Sequence, residues 1–113
     1  RDEFRTLFER YDIIVGPANP VRAGAAGKWT TEINGETIDL RQVGPEYTGI
    51  YNLVGNPAIV VPAGFSSEGT PIGLQLAGRW FDEATVLQVA DAFEQATSWR
   101  QLRPPLANAP SSR

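Results

Sequence analysis

The feature that most constrains this chain is an uninterrupted apolar segment near its middle, AIVV at residues 58–61, bracketed by Pro57 and Pro62. Apolar residues at consecutive positions predict a β-strand that is covered on both faces, because a half-exposed strand alternates apolar and polar residues. The short run from Ile13 to Val15 has the same character, and Pro71–Gly78 predicts a third strand. Strands of this kind require helices on both sides of their sheet.

Two amphipathic helices are predicted. Residues 2–11 carry apolar side chains at helical spacing, namely Phe4, Leu7, Phe8 and Tyr11. The segment after Asp82 has the stronger pattern, with Asp82 as the N-cap and Phe81 placed to pack on Val86 as a hydrophobic staple. Two helices are too few to cover three such strands, so we expect the chain to be part of a larger fold.

Two further segments complete the pattern. Asn34-Gly35 stands between β-forming residues and predicts a tight hairpin at the periphery. The stretch from Pro45 to Val54 is ambiguous by periodicity but fits a helix with Pro45 in its first turn and Gly55 at its end. The fold class predicted is α/β, with part of a mixed β-sheet flanked by helices and a peripheral β-hairpin.

Composition excludes several kinds of site. The chain has no His and no Cys, so neither a Ser–His–Asp system nor a thiolate metal site can be assembled from it. Its single lysine, Lys28, lies in a Gly/Ala-rich loop, where a solvated side chain is expected. Ser66-Ser67 is typical of a turn between strands, and Asp82-Glu83 is typical of a helix N-terminus. We therefore expect no catalytic residue, cofactor or metal.

Charge and hydropathy exclude two kinds of partner. Ten basic and 13 acidic residues are dispersed along the chain, which leaves no basic patch for nucleic acid. No run approaches the roughly 18 apolar residues of a membrane span. The first residues, RDEFRTLFERYDIIV, start inside a helical pattern without signal-peptide architecture, so we expect a non-native N-terminus and a cytoplasmic protein.

The ordered set of these segments resembles the C-terminal part of the amidase signature family. The matching stretches are LFERYDIIVGPANPVRA, NLVGNPAIVVPAGF and GTPIGLQLAGRWFDEATVLQVADAFEQAT, and they extend over nearly all of residues 4–105. The resemblance implies hydrolysis of carboxamide C–N bonds by a Ser–Ser–Lys triad in a mixed sheet sandwiched between helix layers. The lysine and the Gly/Ser-rich signature of that triad have no counterpart here. The implied partners are therefore the missing N-terminal amidase segment and, in the complete enzyme, a small-molecule amide substrate.

The resemblance also points to substrate-pocket residues. Family members place the loop before N-L-x-G-x-P-A near the pocket, which corresponds here to Glu46, Tyr47, Thr48 and Asn52. In the amidotransferase branch of the family, some members carry an acidic residue just ahead of the matching threonine, where this chain has Pro45, and this departure favours a general amidase. The alternative, that these residues only pack and cap a helix, stays open.

Three interpretations follow for the chain as a whole. In the first, residues 1–105 are the C-terminal part of an amidase domain and residues 106–113 are a flexible tail. In the others, the chain is a non-catalytic module that pairs through its strand edges, or a subunit that complements a separate N-terminal half. Uncovered sheet surface also predicts that the isolated chain self-associates.

Overall fold

The computed structural model describes residues 1–103. The predicted tail at residues 106–113 lies outside the described residues. The elements in chain order are α1 (Asp2–Phe8), β1 (Ile13–Pro17), β2 (Thr30–Ile33), β3 (Glu36–Asp39), α2 (Leu40–Val54), β4 (Ala58–Phe65), β5 (Pro71–Gly78), α3 (Glu83–Ala96) and a 3₁₀ turn (Trp99–Gln101).

The three predicted strands form one sheet in the order β1-β5-β4, with both pairs antiparallel. β4 and β5 are joined by the short turn that starts at Ser66, whose Oγ accepts hydrogen bonds from the N–H groups of Glu68 and Thr70 at 3.2 Å. β2 and β3 form a separate two-stranded hairpin. The predicted class, a sheet with flanking helices and a peripheral hairpin, is confirmed.

The core lies between this sheet and α3. Val61 of β4 and Leu76 of β5 pack with Ala90 of α3, and all three are at most 4% exposed. Half-buried apolar side chains surround this centre, namely Ile13, Ile59, Leu74, Val89 and Phe93. The inner stripe predicted for α3 is therefore the face that packs on the sheet.

Cover on both faces is not found within the described residues, and that expectation was wrong for this chain taken alone. Along β4 burial alternates, so that Val61 is 3% exposed while Val60, whose side chain points away from α3, is 49% exposed. Val15 on the edge strand β1 is 58% exposed. The radius of gyration is 16.8 Å, whereas a compact chain of this length has about 13 Å. The apolar strands thus offer more surface than the described helices cover.

The start of α3 confirms one local prediction and corrects another. The Asp82 carboxylate accepts hydrogen bonds from the N–H and the hydroxyl of Thr85, at 3.3 and 2.8 Å, and so caps the helix as predicted. The staple is wrong. Phe81 has a left-handed backbone with φ of 63°, which directs its ring away from Val86, and the residue is 94% exposed.

α1 is shorter than its periodicity predicts. It ends at Phe8, so Tyr11 is not part of the helix and is 53% exposed. The Arg79 side chain holds this end, because its Nε donates to the Phe8 carbonyl at 2.8 Å and its Nη2 pairs with Asp12 at 2.8 Å. Arg79 therefore closes an ion pair, as the sequence indicates.

The far end of α2 is fixed by contacts from distant parts of the chain. The Val54 carbonyl accepts hydrogen bonds from Arg1 Nε at 3.1 Å and from Trp80 Nε1 at 2.9 Å. Gly55 ends the helix in the left-handed conformation, with φ of 85°. Asn56 then ties the turn to β5 by donating from Nδ2 to the Gly78 carbonyl at 2.7 Å, while its Oδ1 has no partner among the described residues.

In the part of the chain that the structure describes, no helix is both long and apolar enough to cross a membrane.

Candidate substrate-facing surface

The predicted pocket residues all lie on α2, so the way the chain starts this helix decides where they stand. The Asn34-Gly35 turn has positive φ at both residues, 52° and 83°, as a two-residue hairpin requires. The hairpin then runs directly into α2, and the Leu40 N–H donates to the Trp29 carbonyl at 2.8 Å. The helix therefore starts five residues earlier than predicted, and Pro45 lies inside it rather than in its first turn.

Asp39 caps α2 and is held by a charged partner. Its Oδ1 accepts hydrogen bonds from the backbone N–H and from the Nε of Arg41, both at 2.9 Å, and its Oδ2 accepts one from Nη2 at 2.5 Å. These hydrogen bonds, first of all those from the guanidinium, lower the pKa of Asp39 from an ordinary 3.8 to about 2. The junction of hairpin and helix is thus an electrostatic lock.

We expect the Asp39 carboxylate to titrate with a midpoint near pH 2 and to return towards its ordinary pKa in Arg41→Gln. Because the pKa in the folded state is depressed, the stabilisation by Asp39 is complete above its unfolded pKa and is lost as the pH falls through about 2. Carboxyl carbon chemical shifts measured by NMR against pH would test this. An Asp39 midpoint that does not move in Arg41→Gln would contradict the assignment, and Arg100→Gln, paired only loosely with Glu94, is the control.

Two of the four predicted residues share a concavity. Glu46 and Tyr47 face the hairpin across an open space of ≈ 340 Å³. The hairpin side of this space is lined by Ile33, Asn34, Glu36 and Ile38. We name this space the hairpin cleft.

The other two lie on a different side of α2. Thr48 and Asn52 are four residues apart and so stack on one face of the helix, roughly 160° around the axis from Glu46 in the case of Thr48. Thr48 is half-buried and its hydroxyl donates to the Gly44 carbonyl at 3.4 Å, whereas Asn52 is exposed. The structure therefore brings Glu46 and Tyr47 together but does not bring all four residues to one site.

The charge of the hairpin cleft comes from carboxylates. Glu36 and Glu46 both line it, and none of the described residues that line it is basic. Such a surface favours a positively charged group or a hydrogen-bond donor. Glu36 was not predicted as a site residue, because its meeting with Glu46 depends on how the hairpin folds back beside α2, and no local sequence pattern signals this.

The chemistry available within the described residues is binding rather than catalysis. Lys28 is exposed in its loop, as expected. Ser66 Oγ lies 2.8 Å from Thr70 Oγ1 and serves the β4–β5 turn, again as expected. In residues 1–103 no group of three or more metal-ligating side chains comes together.

Comparison with known proteins gives consistent results at the level of sequence. A family model described as amidase matches residues 1–87. The chain is 42% identical over 110 residues to a glutamyl-tRNA(Gln) amidotransferase chain, the A component, of Oceanobacillus iheyensis, covering 96% of this chain and 21% of that protein. It is 44% identical over 104 residues to the protein of the same description from Geobacillus kaustophilus, covering 92% of this chain and 20% of the relative. The chain thus spans about a fifth of the length of the curated relatives it matches.

Solved structures show the same architecture. A 6-aminohexanoate cyclic dimer hydrolase superposes with a TM-score of 0.78 at 31% identity, covering 92% of this chain and 23% of that one. A crystal structure of an amidase also superposes with a TM-score of 0.78, at 24% identity, covering 85% of this chain and 22% of that one. The fold described above is thus also found as a part of larger hydrolase chains.

Proposed function

Because the chain belongs to the amidase family, we propose that it works as the C-terminal segment of an enzyme that hydrolyses carboxamide C–N bonds. The observation that carries the proposal is the family match over residues 1–87 of a chain whose described residues contain no nucleophile–base pair. The attacking serine, the second serine and the lysine are supplied by the part of the enzyme that precedes this segment. Residues 1–105 complete its sheet, and residues 106–113 are a tail beyond it.

We propose that the segment also shapes the substrate pocket through the hairpin cleft. Glu46 and Tyr47 contact the substrate from this side of α2, and the Glu36 and Glu46 carboxylates attract a positively charged portion of it. Thr48 and Asn52 serve the opposite side of the helix, where the preceding part of the enzyme closes the pocket. The Asp39–Arg41 lock supports this role, since it fixes the start of the helix that carries all four residues.

The test compares the whole protein that carries this segment with the 113-residue chain alone, using a neutral amide and an amide with a cationic leaving group. We expect turnover by the whole protein and none by the chain alone. In the whole protein, Glu46→Gln is expected to raise KM for the cationic amide roughly twofold to fivefold, the range of a partly solvated charge pair, and to leave the neutral amide unchanged.

The matched control is Glu83→Gln, because Glu83 is an exposed carboxylate in the first turn of α3, away from the hairpin cleft. Equal effects of the two substitutions would contradict the pocket role of Glu46. Turnover by the rigorously purified chain would contradict the division of catalytic labour.

A second candidate is a complementing or sheet-pairing module without catalysis of its own. It is favoured by the outer strands of the sheet, β1 and β4, since each has only β5 as a neighbour among the described residues. Stimulation of amide hydrolysis when the chain is added to a separately made N-terminal part would support the complementing form.

A further inference from the structure

Phe81 carries two unfavourable features at once. It is 94% exposed, the highest exposure of any large apolar residue in residues 1–103. Its backbone is also left-handed, with φ of 63°, a conformation that glycine or asparagine adopts readily and an aromatic residue does not. No contact among the described residues compensates for either feature, and this combination is typical of a side chain that is buried by something else.

The surroundings of Phe81 form a rigid mount. On one side the Asp82 carboxylate caps α3, and on the other the Trp80 indole donates to the Val54 carbonyl at 2.9 Å. That hydrogen bond brings the end of α2 to this corner, next to Leu53, which is 80% exposed. We call Leu53, Trp80 and Phe81 the Phe81 corner. A concavity of ≈ 470 Å³ adjoins it, lined on the α1 side by Arg5, Phe8 and Glu9.

We propose that the Phe81 corner is the docking site for the preceding part of the amidase domain, which buries the Phe81 ring under apolar side chains. This inference rests on the proposed function, and its support is that the chain spans about a fifth of the length of its curated relatives. A docked segment of the same polypeptide needs only a small contact, because covalent connection removes most of the entropic cost of association.

A second copy of the chain is the poorer occupant. Two exposed side chains offer each partner well under the roughly 800 Å² per side that a stable interface buries, since even a fully buried aromatic side chain contributes only about 150–250 Å². The corner suits an anchor within one protein better than an interface between two.

The first test is the direction of the change in Tm when Phe81→Gly is made in the whole protein. Glycine relieves the left-handed strain, so an exposed ring predicts a higher Tm. A docked ring predicts a Tm lower by a few degrees, because burial of a phenylalanine stabilises by more than the strain costs. Asn34→Gly is the control for strain relief, since Asn34 is the other non-glycine residue with positive φ in the described chain, and it is expected not to lower Tm.

The second test replaces Phe81 with the photoreactive residue benzoylphenylalanine, which keeps an aromatic ring at the same position. Irradiation of the whole protein is expected to cross-link residue 81 to residues that precede this segment in the same polypeptide. Cross-links only between molecules, or a raised Tm in Phe81→Gly, would overturn the docking site. Amide hydrolysis by the wild type is measured alongside, so that hydrolysis with failed docking overturns this inference alone and absent hydrolysis overturns the proposed function.

Discussion

Leu76→Ala is expected to lower the free energy of unfolding by about 3–5 kcal/mol, the upper part of the range for a buried leucine. Leu76 is 2% exposed and is the largest fully buried side chain of the described residues. It lies on the central strand opposite Ile59 of β4 and Val15 of β1, with α3 packed over it. Because strands on both sides hold the backbone in place, the cavity cannot collapse easily, and the full cost of the lost contacts remains.

The measurement is urea denaturation followed by tryptophan fluorescence, and the control is the same truncation at an exposed site. Leu87→Ala on α3, where Leu87 is 58% exposed, is expected to change stability by less than about 0.5 kcal/mol. Similar losses at both positions would mean that the contact between the sheet and α3 is not the core of this segment.

Gly78→Ala is expected to destabilise by about 1–3 kcal/mol, although it adds a single methyl group. A Cβ at this position would lie 2.5 Å from Val86 Cγ2 and 3.7 Å from Ile13 Cδ1. Val86 is 3% exposed, and β-branching fixes its χ1 on the helix, so it cannot turn away. The last residue of β5 is therefore glycine because α3 crosses directly over it.

The control for Gly78→Ala is Gly16→Ala on β1, where a new Cβ would meet no atom within 4 Å. There the change in stability is expected to be within about 0.5 kcal/mol. In the double variant Gly78→Ala/Val86→Ala, the two effects should add to less than their sum, because the smaller side chain removes the clash. Additive losses would show that the close approach of Gly78 and Val86 is not the cause.

Local chemistry accounts for the parts of the fold that the sequence predicts. The Asn34-Gly35 hairpin and the Asp82 cap each depend on a few adjacent residues, and both are found. The start of α2 was misplaced because Pro45 is favourable in a first turn, whereas Asp39 and the bond from Leu40 to Trp29 start the helix earlier. The staple failed because the sequence does not reveal that Phe81 adopts a left-handed backbone.

The candidate site shows the same limit. Glu46 and Tyr47 were identified by resemblance and lie together in the hairpin cleft, but their use by substrate stays a prediction. The separation of Thr48 and Asn52 from Glu46 follows from the helical period once the helix is known. The approach of Glu36 depends on packing between elements, and no single stretch of sequence encodes it.

The position of β1 in the sheet has a consequence for biosynthesis. β1 pairs only with β5 among the described strands, in a register that joins Ile13 to Gly78, 65 residues later in the chain. β4 and β5, by contrast, form a hairpin that can close soon after both have left the ribosome. At about 5–20 residues per second, β1 waits roughly 3–13 s for its partner strand. During each round of translation the apolar edge from Ile13 to Val15 is therefore available to chaperones before the native sheet can claim it.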